Sequence, residues 1–386
     1  MRRRVYLDYH ATTPLDPRVA EVVSHTQLEI FGNPASDHAF GDEAAAVIDT
    51  ARLQVANLVG TTPECVVFTS GATESTNLAI HGFLTSCRSR TPRRVLVSAV
   101  EHHAVLDTCR ALGRKGLADV VEIPVDEFAR IDMESVERGC RDGAALVCLM
   151  AANNEVGTIY PVREVGLIAR QHGAAFFCDA SQACGKVSID CTRDGITLLA
   201  LSGHKFCGPK GVGALVLPSP HALEPILFGG GQEAGVRPGT MNVPAIAGLG
   251  EACRLRALEM AADEIQVRRL RDELQEALLS SLPGLRVNGD LQHRLAGNLH
   301  VSIPDTPNQA VIARVRGVLA IGTGSACSSG LEAPSHVLRA MNLASWRLDG
   351  ALRFGLGKFS TRDDVLEAAR LLPAAVRDVR GALAGT

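Results

Sequence analysis

The sequence predicts an α/β protein, with a large domain on a mostly parallel seven-stranded sheet and a smaller α+β domain after it. Two observations carry this. Short apolar runs alternate with helix-length segments at residues 65–70, 94–98, 120–124, 145–150, 174–179, 196–201 and 212–217. Strands separated in this way pair in parallel, because a parallel neighbour is reached only through a long crossover, usually a helix. The second observation is a long helical stretch from about Glu251 to Ser280, where Val267, Leu270, Leu274 and Ala277 recur at helical period between charges. Leu282-Pro283-Gly284 ends it, and strand-like runs at 298–303 and 351–354 follow, with terminal helices. We place the domain boundary in that helix. Residues 14–255 form the large domain; residues 1–13 and 256–386 form the small one.

Composition narrows the function classes. The chain has 386 residues, of which 46% are hydrophobic, enough to bury a substantial core. A net charge of −3 with interspersed signs gives no electrostatic basis for direct nucleic-acid or membrane binding. Arg2-Arg3-Arg4 is followed by Tyr6-Leu7-Asp8-Tyr9 and not by an apolar signal core. No run approaches the roughly 20 apolar residues of a membrane span. Eleven scattered cysteines include no Cys-x-x-Cys pair, which reads as a reduced cytoplasmic chain without a disulfide framework or a metal site.

Taken in chain order, the polar motifs sit where apolar runs end. Ser70-Gly71-Ala72-Thr73-Glu74-Ser75 follows the first run and opens a helical pattern, so its hydroxyls and N–H groups suit a single phosphate. By itself it is equally a helix cap. Glu101-His102-His103 follows the second run; adjacent histidines diverge and make a poor metal pair, but one could stack on an aromatic cofactor and shuttle protons. Asn153-Asn154-Glu155 follows the fourth run and reads either as a turn or as part of a site at a strand's C-terminal end.

Asp179 ends the fifth run, with Gln182 three residues on, and Lys205 follows the sixth within Ser202-Gly203-His204-Lys205. A lysine and an aspartate at the ends of successive buried strands suit pyridoxal phosphate. The amine can hold the cofactor aldehyde as a Schiff base, and the carboxylate can keep the pyridine nitrogen protonated. Gly208-Pro209-Lys210 after Gly203 is a near miss to a nucleotide P-loop, with Pro209 where that motif needs lysine, and an NTPase is rejected.

Cys327 lies in Gly322-Thr323-Gly324-Ser325-Ala326-Cys327-Ser328-Ser329-Gly330, among small residues that supply almost no apolar area to bury it. A mobile thiolate there fits a nucleophile that approaches and leaves a site; an ordinary loop carrying an incidental cysteine fits equally. Arg353 is a charge inside the apolar run Ala351-Leu352-Arg353-Phe354. Buried arginine needs a partner, either a substrate carboxylate or a structural carboxylate.

Taken together these segments resemble the cysteine desulfurases, aminotransferase-like (fold type I) pyridoxal-phosphate enzymes of the NifS/IscS kind. Ala11-Thr12-Thr13-Pro14, Gly32-Asn33-Pro34, Gly229-Gly230-Gly231 and Pro238-Gly239-Thr240 extend the likeness through nearly the whole chain. The resemblance implies that L-cysteine is converted to L-alanine and that Cys327 takes the sulfur as a persulfide for a sulfur-acceptor protein. It implies that Lys205 carries the cofactor and moves protons, that His102 stacks on its ring, and that Asp179 and Gln182 meet its nitrogen and its ring oxygen. Asn154 would lie beside it. Ala72, Thr73, Ser202 and His204 would hold the phosphate, with Thr240 reaching it from the other subunit of a homodimer. Asn33 and Arg353 would bind the substrate carboxylate, and Cys327 would rest away from the cofactor.

His10, Cys207 and Gln232-Glu233-Ala234 depart from the more usual Ser, Tyr and His-Glu-Arg. The chain also ends at Thr386 without the aromatic-containing tail of housekeeping iron–sulfur desulfurases, and details look closest to the desulfurases of DNA phosphorothioation (Dnd) systems. DNA phosphorothioate modification is therefore the favoured pathway, with iron–sulfur assembly or tRNA thiolation as alternatives. A selenocysteine lyase or another pyridoxal-phosphate lyase is the alternative chemistry.

Overall fold

The computed structural model describes residues 4–86, 93–218, 223–324 and 335–384. In chain order the first elements are β1 (Val5–Tyr6), α1 (Pro17–Glu29), α2 (Ala39–Val59), β2 (Val66–Thr69), α3 (Ala72–Ser86), β3 (Arg93–Ser98), α4 (His103–Arg114) and β4 (Ala118–Ile123). Next come α5 (Met133–Arg141), β5 (Leu146–Cys148), α6 (Val162–Gln171), β6 (Ala175–Asp179), β7 (Leu198–Ser202), β8 (Gly213–Val216) and α7 (Val243–Ser281). The chain finishes with β9 (Arg286–Val287), β10 (Asn298–Ser302), α8 (Asn308–Val315), β11 (Leu319–Ala320), α9 (His336–Ala340), α10 (Ser345–Asp349), β12 (Ala351–Gly355) and α11 (Arg362–Ala384).

All seven apolar runs of the first domain become strands of one seven-stranded sheet, ordered β2-β8-β7-β6-β5-β3-β4. Pairing is parallel from β7 through β4, and β8 alone runs against its neighbours β2 and β7. The runs are continuous and not alternating because both sheet faces are covered. Phe68, Leu96, Val147, Phe176, Leu199 and Leu201 enter one core with α2, α5 and α6. Their neighbours Val67, Val95, Val97, Leu146, Phe177, Leu198 and Ala200 enter a second core with α3 and α4 on the other face. With six strands sharing one direction, β2, β3, β5, β6 and β7 deliver their C-terminal ends to the same edge, where ligands bind in open α/β sheets.

A third core joins β1, β10, β12, α8 and α11 to the C-terminal half of α7. Along α7, Leu255 is the last residue in the first core and Val267 the first in the third. This helix starts at Val243, earlier than its periodic pattern. Its first turns are buried all round and show no polar face. They hold Gly248, where a Cβ would lie 2.5 Å from Val23 and 2.6 Å from Pro209, and Gly250, where one would lie 2.6 Å from the Ala51 backbone. Small residues let α7 press against α1, α2 and the turn that follows Lys205. Among the described residues no helix is long and apolar enough to cross a membrane, and no cluster of His, Cys, Asp or Glu could hold a metal ion.

Candidate active site

A cavity of about 610 Å³ opens at the C-terminal edge of the large sheet. That is the size of a small-ligand site. Ala72, Thr73, His102, Asn154, Asp179, Gln182, Ser202, His204, Lys205 and Arg353 all line it. Asn33 and Thr240 do not: both are exposed, and the Asn33 side chain accepts the Ala35 N–H at 3.0 Å within its own turn. Cys327 lies outside the described residues, but Gly324, three positions before it, lines the same cavity.

Lys205 sits in a short 3₁₀ turn, Gly203–Lys205, directly after β7. The Thr13 hydroxyl braces that turn by donating to the His204 carbonyl at 2.9 Å and accepting the Cys207 N–H at 2.8 Å. Cys207 takes a left-handed φ of 66°, uncommon outside glycine. The Lys205 amine donates to the carbonyls of His10 at 2.8 Å and Ala11 at 2.9 Å. On the neighbouring strand Asp179 closes β6, its Oδ1 accepting from the Ser181 N–H at 2.9 Å and hydroxyl at 2.5 Å. These bonds hold the carboxylate in one orientation at the cavity wall.

His102 caps α4: its Nδ1 accepts the Ala104 N–H at 3.1 Å. An acceptor at Nδ1 leaves the ring proton on Nε2. Burial, together with Lys205 and against the pull of Asp179, lowers its pKa, so the ring is neutral near pH 7. His204 is pushed down to about 4, by burial first and Lys205 next, and its Nδ1 lies 3.1 Å from the Thr12 hydroxyl. Two neutral imidazoles therefore stand beside the amine.

Asn153 and Asn154 divide the two sequence readings between them. Asn153 is fully buried and builds the turn, its Oδ1 accepting the N–H groups of Glu155 and Val156 at 2.9 and 3.0 Å. Asn154 lines the cavity. Gln182 donates Nε2–H to the His10 carbonyl at 2.8 Å, while its Oε1 accepts from Lys186 at 3.1 Å and lies 3.2 Å from His10 Nδ1. That network turns the amide oxygen away and leaves one Nε2–H to donate. Arg353 is held by Asp8, which accepts from Nη2 at 3.0 Å, and by the Asn154 carbonyl on Nη1 at 2.9 Å. Its Nε is buried with no hydrogen-bond partner among the described residues.

Sequence reasoning missed His10 and Lys210 as wall residues. His10 was visible only as an unusual residue at its position. Lys210 stood in the rejected P-loop-like segment, where a cation after a tight turn was the available signal.

The donor set fits pyridoxal phosphate. The cavity wall collects the first turn of α3 with Thr73, Ser202, His204 and Lys210, which together suit a dianionic phosphate. It also offers an amine, an oriented carboxylate and a neutral imidazole, as the pyridine ring and aldehyde require.

Comparison with known proteins shows the family. The family model for class-V aminotransferases matches residues 5–367. The cysteine desulfurase IscS of Anaeromyxobacter dehalogenans (strain 2CP-C) is 42% identical over 383 residues, spanning 98% of this chain and 94% of that relative. Among solved structures, a NifS-like protein has a TM-score of 0.91 at 33% identity and covers 97% of this chain and 100% of its own. DndA from Streptomyces lividans has a TM-score of 0.77 at 36% identity, covering 90% and 98%. The chain belongs to the class-V aminotransferases, and within them to the pyridoxal-phosphate-dependent cysteine desulfurases of NifS/IscS type.

Proposed function

We propose that this cysteine desulfurase moves the sulfur of L-cysteine onto Cys327 as a persulfide and releases L-alanine. The observation that carries the reading is that Lys205, Asp179 and His102 share one cavity with Gly324. Gly324 stands three positions before Cys327, and three residues of chain reach at most about 10 Å. Seven described thiols, Cys140, Cys148, Cys178, Cys184, Cys191, Cys207 and Cys253, are buried, and burial raises their pKa values, which makes them poor nucleophiles.

Bound pyridoxal phosphate supplies an electron sink for the carbanion formed at the substrate's Cα. Thr73, Ser202 and His204 hold the phosphate, with Thr240 of the partner subunit completing the cradle in a homodimer. Asp179 would pair with the ring nitrogen, Gln182 would donate to the ring oxygen, and Asn154 would lie beside the ring. Arg353 takes the substrate carboxylate; Asn33 stands outside this cavity. Lys205 would hold the cofactor and would move the Cα proton, with His102 assisting. The Cys327 thiolate attacks the substrate's sulfur: the Cβ–S bond breaks, an S–S bond forms, and one thiol hydrogen ends on the methyl group of alanine. Sulfur is oxidised as the carbon is reduced, so no outside oxidant is needed.

The sulfur then passes to an acceptor protein. Delivery to DNA phosphorothioate modification is favoured by the likeness to DndA. Iron–sulfur cluster assembly is the second reading, favoured by the 42% identity to an IscS. Purified wild-type protein and Cys327→Ser are to be given L-cysteine while alanine and protein-bound persulfide are scored. The expected result is both products from wild type and neither from the variant. Undiminished alanine in Cys327→Ser would sink the assignment of that thiol. Deleting the gene separates the pathways, since either phosphorothioate in DNA or the activity of iron–sulfur enzymes should fall.

A further inference from the structure

Glu155 does not line the cavity and has no role in the chemistry above. It is nonetheless only 3% exposed, and a carboxylate is kept in such a place only with firm partners. Its Oε2 accepts the Ser335 hydroxyl at 2.6 Å. The same oxygen faces Gly324, where a Cβ would lie 2.7 Å from it and where φ is +96°, a region that favours glycine. The two described residues that bracket residues 325–334 therefore meet at one carboxylate oxygen.

Each bracket is also fastened to the cavity. Gly322 and Arg353 exchange both backbone hydrogen bonds, at 3.0 and 2.7 Å. On the other side His336 Nε2 lies 2.8 Å from the Glu101 carbonyl, and its ring lies 4.6 Å from that of His103. Glu155 itself is immobilised by Asn153 Oδ1 on its N–H and by Asn298 Nδ2 on its carbonyl, both at 2.9 Å.

We propose that Glu155 is a positioning residue for sulfur transfer: its carboxylate holds Ser335 by a hydrogen bond and packs against Gly324, and so sets where the two ends of the Cys327 segment stand at the cavity. This rests on the assignment of Cys327 given above. Small errors in the placement of a reacting group cost large factors in rate. Glu155 hydrogen-bonds neither Lys205 nor Asp179, but its charge is felt by Arg353 and His102, so Ser335→Ala, which leaves that charge in place, is the cleaner variant.

The test mixes L-cysteine rapidly with holoenzyme of wild type, Ser335→Ala, Glu155→Gln and Ser335→Thr. Two signals are followed: the change in cofactor absorbance as substrate engages, and persulfide trapped on Cys327 and measured by mass. Ser335→Ala is expected to slow persulfide formation about tenfold, the scale of a lost hydrogen bond to a charged group. Glu155→Gln should slow it less. The absorbance change should stay within twofold of wild type throughout, and Ser335→Thr, which keeps the hydroxyl, should restore the transfer rate. Equal slowing of both signals, loss of cofactor, or unchanged persulfide formation would overturn the positioning role. Should Glu155→Gln fail to fold, Ser335→Ala and Ser335→Thr decide the question. Absence of persulfide in wild type would instead overturn the proposed function, and this role with it.

Discussion

The two walls of the cavity are held by different means. The sheet wall carries Asp179, Lys205 and His102 at the ends of hydrogen-bonded strands, with Asp179 set against Ala200 by strand register. Its amine donates to backbone carbonyls, and its two imidazoles are neutral because burial lowers their pKa values. The opposite wall comes from β12 and the residues before 325, and its main charge, Arg353, is held by the side chain of Asp8. The segment 8–13 runs between the walls and serves both: Asp8 meets Arg353, the His10 and Ala11 carbonyls meet Lys205, and Thr12 and Thr13 meet the lysine turn. A wall held by backbone geometry should fail only when a reacting group is removed. A wall held by side-chain pairs should also fail when a remote partner is lost.

The largest expected effect tests the first half of that contrast. Lys205→Ala should lower alanine formation by about 10⁴-fold, the upper range for removal of a general acid–base group, and should leave the thermal midpoint nearly unchanged. Retention of more than a few per cent of activity in a steady-state assay would break the contrast. The second half is tested at Asp8. Arg353→Ala should raise KM for L-cysteine about a hundredfold, the worth of a charge-assisted bidentate contact. Asp8→Ala should raise KM about tenfold with kcat altered less than threefold, through disorder of the guanidinium alone. An unchanged KM for Asp8→Ala would mean that backbone contacts orient Arg353 without its carboxylate partner.

The sheet wall was the legible one. A strand buried on both faces reads as an unbroken apolar run, and the polar residue that stops it, such as Asp179 or the lysine after Ser202, reads as a site. Strand order and the reversed direction of β8 were not readable, because pairing partners lie far apart in the chain. The same reason hid His10, which meets Gln182 across 172 positions. The start of α7 was hidden because a helix buried all round has no period to detect. Asn153 and Asn154 were readable as a pair, and only the fold separates the turn builder from the wall residue. Asn33 and Thr240 came from resemblance alone, and this chain's cavity does not include them.

The smallest expected effect sharpens the contrast through pH. His300 on β10 stands opposite Arg353 in the register of the three-stranded sheet and is fully buried. Its Nδ1 is 2.8 Å from Asn288 Nδ2, so the ring is a neutral acceptor there, and its remaining nitrogen has no partner among the described residues. Burial first, then Arg353 and Arg347, push its pKa from 6.5 down to about 3. The unfolded chain therefore binds a proton that the folded chain refuses. The stability tied to the neutral ring is present above pH 6.5 and is lost as pH falls towards 3. One such group costs about 1.4 kcal/mol per pH unit, or about 2 kcal/mol between pH 6.5 and 5. Urea unfolding across that interval should show wild type losing this increment and His300→Gln lacking it, whatever the variant's stability at neutral pH. Equal slopes would mean that acid acts on the sheet wall, where His204 sits near 4. A shallower slope in His300→Gln would place one acid-sensitive joint directly beneath Arg353, on the wall that depends on its side chains.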